Sequence, residues 1–159
     1  MNNIFKVSEI DLLKKEIIGK NVVLAGGCFD VLHPGHIIFL EQAKKEGEVL
    51  VVLLESDQKI KELKGEDRPF FTQADRAKVL SSVKFVDFII LMPHSNSASD
   101  YDEIVLKVSP SIIAATKGEV EEEFKIRSAE KTGAVLKFVT EMVEDYSTSR
   151  ILNHSRGLE

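Results

Sequence analysis

Apolar residues along this chain follow two rhythms. Short, nearly unbroken runs occur at Val22–Ala25, Val49–Leu54, Phe88–Leu91, Ile112–Ala115 and Ala134–Val139. Between them, apolar residues recur every third or fourth position. The first rhythm marks strands buried on both faces, the second amphipathic helices. The helical stretches are Ser8–Ile18, with Ile10, Leu13 and Ile17 on one face, then His36–Lys45, Ser56–Leu63, Gln73–Val83, Asp102–Val108 and Glu119–Thr132. A short last helix is expected from the Tyr146–Arg150 segment onward. Strands alternating with helices predict an α/β domain: a five-stranded parallel sheet with helices on both faces. One domain over 1–159 is expected, with 1–20 a helical arm and 153–159 a frayed tail. Ligands of such sheets sit at the carboxyl ends of the strands, where the strand order switches.

Composition narrows the class. The 159 residues suffice for a hydrophobic core without staples. At 43% hydrophobic and 30% charged, the chain is ordinary for a globular protein. A formal net charge of -5 argues against nucleic acid as partner. Cys28 is the single cysteine, which excludes an intrachain disulfide and fits a reducing compartment. No apolar run approaches the roughly 20 residues that span a bilayer. The first residues lack a signal-peptide pattern. A cytoplasmic protein without membrane partners is expected.

The chemistry concentrates in Gly26-Gly27-Cys28-Phe29-Asp30-Val31-Leu32-His33-Pro34-Gly35-His36, between the first predicted strand and its helix. That position is the ligand end of the sheet. Glycines let backbone approach a ligand closely. Free amides and the dipole at a helix N-terminus favour an anion. Two imidazoles added to them make a phosphate site. The plainer reading has His33 capping a turn and His36 half-buried in the helix. A histidine-ligated metal is disfavoured, because only His33, His36, His94 and His154 exist and Asp30 is the one acid nearby.

The segment resembles the HxGH signature of the cytidylyltransferase-like nucleotidyltransferase superfamily. Lys61-Glu62-Leu63-Lys64-Gly65, Arg68-Pro69 and Arg76 resemble a stretch in the adenylyltransferase domain of ADP-heptose synthases. Tyr146-Ser147-Thr148-Ser149-Arg150-Ile151 resembles the superfamily's Ser/Thr-rich second signature. The resemblance runs in order along nearly the whole chain. It implies a Rossmann-like, HUP-type fold and transfer of AMP from ATP to a sugar 1-phosphate, releasing pyrophosphate, in carbohydrate or lipopolysaccharide core biosynthesis. It also makes a homodimer plausible.

That reaction needs no covalent protein intermediate. The acceptor phosphate oxygen attacks the α-phosphorus in line, and the protein positions the reactants and stabilises charge moving to the leaving group. His33, His36 and Lys61 are the candidate catalytic groups. The nucleotide is expected on Gly27, Cys28, Phe29, Asp30, Gly35, His36, Lys117, Gly118, Tyr146, Ser147, Thr148 and Arg150. The acceptor phosphate is expected on Lys61 and Arg76. Mg²⁺ is expected to travel with the nucleotide, held by phosphate oxygens and water rather than by protein side chains. Bland counterparts exist: Lys61 as a solvated helix face, Arg76 as a surface ion pair, Ser147-Thr148 as an N-cap. Lys117-Gly118-Glu119-Val120 departs from the Lys-Gly-Gly-Asp-like turn of the heptose enzymes, as does Ala25-Gly26 from the usual Asn or Thr. Two alternatives stay open: a CTP-dependent cytidylyltransferase acting on glycerol 3-phosphate or a similar alcohol phosphate, and a nucleotide-binding module without catalysis.

Overall fold

In the computed structural model, residues 3–95, 97–142 and 146–156 are described. The strands are β1 (Ile4–Lys6), β2 (Val22–Gly27), β3 (Val49–Leu54), β4 (Phe88–Leu91), β5 (Ile112–Lys117) and β6 (Val135–Glu141). The helices are α1 (Ile10–Ile17), α2 (Pro34–Lys45), α3 (Asp57–Lys64), α4 (Gln73–Leu80), α5 (Ala98–Val108), α6 (Glu122–Thr132) and α7 (Thr148–Arg156). All six strands run parallel, in the order β1-β4-β3-β2-β5-β6. The sheet therefore has one strand more than the five expected. β1 is only three residues long and joins the edge by pairing Ile4 with Ile89. So short a run carries no periodicity of its own.

Residue alternation along each strand feeds two cores. Leu24, Val51 and Leu53 join Ile10, Leu13, Val105 and Val108 beneath α1 and α5. Val23, Ala25, Leu50, Val52 and Leu54 join Leu40, Ala43 and Leu80 beneath α2 and α4. β3 is buried along its whole length, which is why its sequence is apolar without alternation. Each such side chain contributes roughly 1.5–3 kcal/mol on leaving water. α7 reaches Arg156, so part of the tail expected to be frayed is helical; 157–159 lie outside the described residues. No helix among the described residues is long and apolar enough to cross a membrane.

From β2 the chain builds outward through β3 and β4 on one side, then crosses to β5 and β6 on the other. The strand order thus reverses at β2, and the crevice at its carboxyl end is where an open parallel sheet takes its ligand. Gly26 and Gly27 end β2 at that point.

Candidate functional site

The turn after β2 is strained and firmly held. Phe29 and Val31 both have φ near 45°, a region costly for residues with a Cβ, most of all for β-branched valine. Buried groups secure it. Asp30, 1% exposed, accepts bonds from Arg68 Nε (2.8 Å), Phe70 N (2.9 Å) and Phe71 N (3.1 Å). Burial alone would raise its pKa, but these donors together bring the carboxyl below its usual range. The Thr148 hydroxyl donates to the Asp30 carbonyl at 2.6 Å, tying the start of α7 to this turn across 118 residues of sequence.

Arg76 is the second anchor. Its side chain is fully buried and donates to the carbonyls of Phe71 (3.1 Å), Cys28 (2.6 Å) and Glu55 (2.8 Å) and to Asp57 Oδ1 (2.7 Å). It joins the turn after β2 to that after β3. These bonds leave it committed to backbone rather than presented to an acceptor phosphate.

The site opens beside this turn as a cavity of about 490 Å³. Of the expected residues, Gly27, Cys28, Phe29, Asp30, His33, Gly35, His36, Tyr146, Ser147 and Thr148 line it. The His33 and His36 rings stack at 3.8 Å between centroids with 24° between planes, and Phe29 lies 5.3 Å from His36. A Cβ on Gly35 would meet His33 Cε1 at 3.0 Å, so glycine there makes room for the stack. The Nδ1 atoms of both imidazoles are buried without a hydrogen-bond partner among the described residues. Burial, then the charges of His33 and Lys64, press the His36 pKa down to about 3. His33 is lowered by burial and by Lys64. Both rings are therefore neutral at pH 7, each with one N–H to donate. No side chain caps the first turn of α2, which begins with Pro34. Ser147 Oγ takes the Arg150 amide at the start of α7. Burial raises the Cys28 thiol, which makes it a poor nucleophile.

Other expected residues stand elsewhere. Lys61 is exposed and lines neither this cavity nor its neighbour. Helix geometry explains it: Ile60 is buried, and Lys64, one turn on, reaches the cavity, while Lys61 points away. The burial of Ile60 was the signal favouring Lys64. Lys117, Gly118 and Arg150 are exposed and outside the lining. Glu119 lines the cavity but pairs at 2.7 Å with Lys125, which is 2% exposed. Thr116, Thr140, Glu141 and Met142 also line the wall without having been expected, as do Gly26, Ile38, Phe39 and Ser149.

A family model described as cytidylyltransferase-like matches residues 24–153. The chain belongs to that family. It is a nucleotidyltransferase. It is 36% identical over 159 residues to the bifunctional protein HldE of Campylobacter fetus, covering 95% of this chain and 31% of that protein. The chain thus spans about a third of that curated relative. A lipopolysaccharide core biosynthesis protein from Thermoplasma volcanium superposes with a TM-score of 0.63 at 31% identity, covering 81% of this chain and 100% of that one. Pantothenate synthetase from Thermus thermophilus superposes with a TM-score of 0.64 at 17% identity, over 95% of this chain and 67% of that one, a likeness of fold alone. The HUP-type, Rossmann-like α/β fold follows.

Proposed function

We propose that this nucleotidyltransferase moves AMP from ATP onto a sugar 1-phosphate of the heptose 1-phosphate kind, releasing pyrophosphate. The observation that carries the reading is the convergence on one cavity of two stacked neutral imidazoles and the starts of α2 and α7. Similarity to HldE and to a lipopolysaccharide core biosynthesis protein favours the sugar acceptor. The triphosphate lies along the His33–Gly35–His36 turn, and its outer phosphates meet Lys64 and the Ser147–Thr148 start of α7. An acceptor phosphate oxygen forms a bond to the α-phosphorus as the α–β bridging bond breaks, and the electron pair leaves on pyrophosphate. Imidazole N–H groups donate to phosphate oxygens as this charge shifts. Positioned neutral donors need no proton transfer, so the chemistry rests on orientation and charge stabilisation.

The cavity's imidazoles, hydroxyls and Lys64 ammonium suit an anion; of its carboxylates, Asp30 is held by Arg68 and Glu119 by Lys125, and Glu141 also lines it. Mg²⁺ is accordingly proposed to arrive on the nucleotide, held by phosphate oxygens and water. The test is pyrophosphate release with ATP or CTP against a panel of phosphorylated acceptors. Turnover with ATP and a sugar 1-phosphate supports the reading. Turnover with CTP alone rejects the adenylyl assignment, and nucleotide binding without turnover rejects catalysis.

A further inference from the structure

Two arginines are buried beside the turn after β2, and their guanidinium groups are used differently. Arg76 sets every one of its nitrogens on an acceptor. Arg68, 7% exposed, makes one short bond, from Nε to Asp30 Oδ2 at 2.8 Å. Its Nη1 reaches the Ser149 hydroxyl only at 3.4 Å. Its Nη2 is buried and has no hydrogen-bond partner among the described residues. A guanidinium N–H hidden from water without an acceptor costs free energy. Anchoring Asp30 does not account for that cost, since Nε and the Phe70 and Phe71 amides already do so. The terminal edge of the guanidinium, Nη1 with Nη2, is left almost unused, and such a pair of parallel donors is what meets a phosphate best.

That edge lies behind the start of α7. Ser149 lines the first cavity with Ser147 and Thr148, so Arg68 stands one hydroxyl away from it. α7 is nine residues long, and the free amides and dipole at its start favour an anion. A serine that accepts from a guanidinium keeps its own hydrogen to donate. Each bond in such a chain strengthens the next.

We infer that Arg68, working through Ser149, holds the terminal phosphate of the nucleoside triphosphate. Arg68 is a positioning residue here: Nη1 fixes the Ser149 oxygen, and the Ser149 O–H turns into the cavity and donates to a phosphate oxygen. Nη2 is the donor still free to answer when the anion arrives. The inference rests on the nucleotidyl-transfer reading and adds the group that grips the leaving pyrophosphate at its far end. As the α–β bridging bond breaks, negative charge collects on pyrophosphate, and a fixed cation with a polarised hydroxyl favours that shift.

The experiment uses the full chain and calorimetry in the presence of Mg²⁺. Non-hydrolysable analogues of ATP and CTP are compared with AMP and CMP, which lack the outer phosphates. Ser149→Ala and Arg68→Lys should each weaken the triphosphate analogue on the order of tenfold, the worth of a hydrogen bond to a charged group. Monophosphate affinity should stay at the parent's value. Arg68→Lys keeps a positive charge beside Asp30 but loses the fork. Ser149→Thr keeps the hydroxyl and should bind the triphosphate as the parent does. Because Arg68 works through Ser149, the double variant should lose less than the product of the two single effects. Equal weakening of triphosphate and monophosphate shows Arg68 to be a brace of the turn only, and overturns the inference. So does a triphosphate-to-monophosphate ratio unchanged in either single variant, or a Ser149→Thr that behaves like Ser149→Ala. Ser149 is exposed, so its two variants decide the matter even where Arg68→Lys does not fold. Each of these outcomes leaves the transfer reading standing. A parent protein that binds neither triphosphate analogue removes that reading, and this inference with it.

Discussion

Arg76 separates two accounts of this protein most sharply. If it gripped the acceptor phosphate, Arg76→Ala would raise the acceptor KM and leave the fold unharmed. The structure puts it instead 1% exposed, with four hydrogen bonds, three of them to carbonyls. Removing the guanidinium orphans the carbonyls of Phe71, Cys28 and Glu55 and leaves Asp57 without its partner. Each buried carbonyl left unsatisfied costs about 1–3 kcal/mol. Water entering the space and the partial exposure of Asp57 offset part of that, so the net loss should be about 3–5 kcal/mol, the range for a broken buried pair. For a domain of this size that lowers Tm by roughly 6–20 °C. Lysine cannot replace it, since a single ammonium cannot reach three separated carbonyls and a carboxylate in one plane. Arg76→Lys should therefore recover less than half of the loss. Urea unfolding followed by far-UV circular dichroism at pH 7.5 measures both variants. A stability within about 0.5 kcal/mol of the parent, the scale of ordinary surface changes, combined with a raised acceptor KM, would refute the assignment.

Further predictions concern the site. His36→Ala should lower turnover by roughly 10²–10³, the scale for one preorganised donor, with nucleotide affinity largely retained; unchanged turnover removes His36 from the mechanism. Because His36 falls to about 3 in the fold from about 6.5 unfolded, its contribution to stability is intact above pH 6.5 and declines as pH drops from there. It faces His33, Lys64 and Asp30. Denaturation curves from pH 7 to pH 4.5 should accordingly fall less steeply for His36→Ala than for the parent. Glu55 runs the other way: raised to about 7, it costs the fold stability as pH climbs past 4.5. Facing Glu121, Lys59 and Arg76, Glu55→Gln should show a higher Tm than the parent at pH 8 and no difference at pH 4.5; an equal Tm at pH 8 contradicts the crowding of the two carboxyls. Thr148→Ala loses the 2.6 Å bond to the Asp30 carbonyl and should cost about 1 kcal/mol together with several-fold weaker nucleotide binding, measured by calorimetry.

Much of this was legible in the chain. The apolar runs announced five of the parallel strands: the central ones have no polar face to alternate because helices cover both sides, whereas β6, at the sheet edge, is largely exposed and carries Lys137 within its run. The Gly26–His36 segment was placed correctly at a sheet mouth because it followed such a run and opened a helix. The Ser147–Thr148 segment reached the same cavity, 112 residues after His36 in the numbering, through the return of the last strand to β5. Boundaries were looser: α5 begins at Ala98 rather than Asp102, and α6 at Glu122 rather than Glu119.

What the sequence by itself determined was the layered α/β plan and the anion-binding turn, because periodicity and helix-start chemistry are local properties. Which charged residues face ligand and which hold the scaffold was decided only by the tertiary structure. Arg76 looks like a phosphate binder in one dimension, yet it ends up holding the Cys28 carbonyl, as Arg68 holds the buried Asp30 carboxylate. Lys61 and Lys64 look alike, yet Lys64 lies only about 40° around the helix from the buried Ile60, and Lys61 about 100° from it. Glu55 follows β3 and Glu121 precedes α6, and they line one cavity only because β3 and β5 flank β2 in the sheet. A charge declares its role through its neighbours, and those neighbours are distant in sequence.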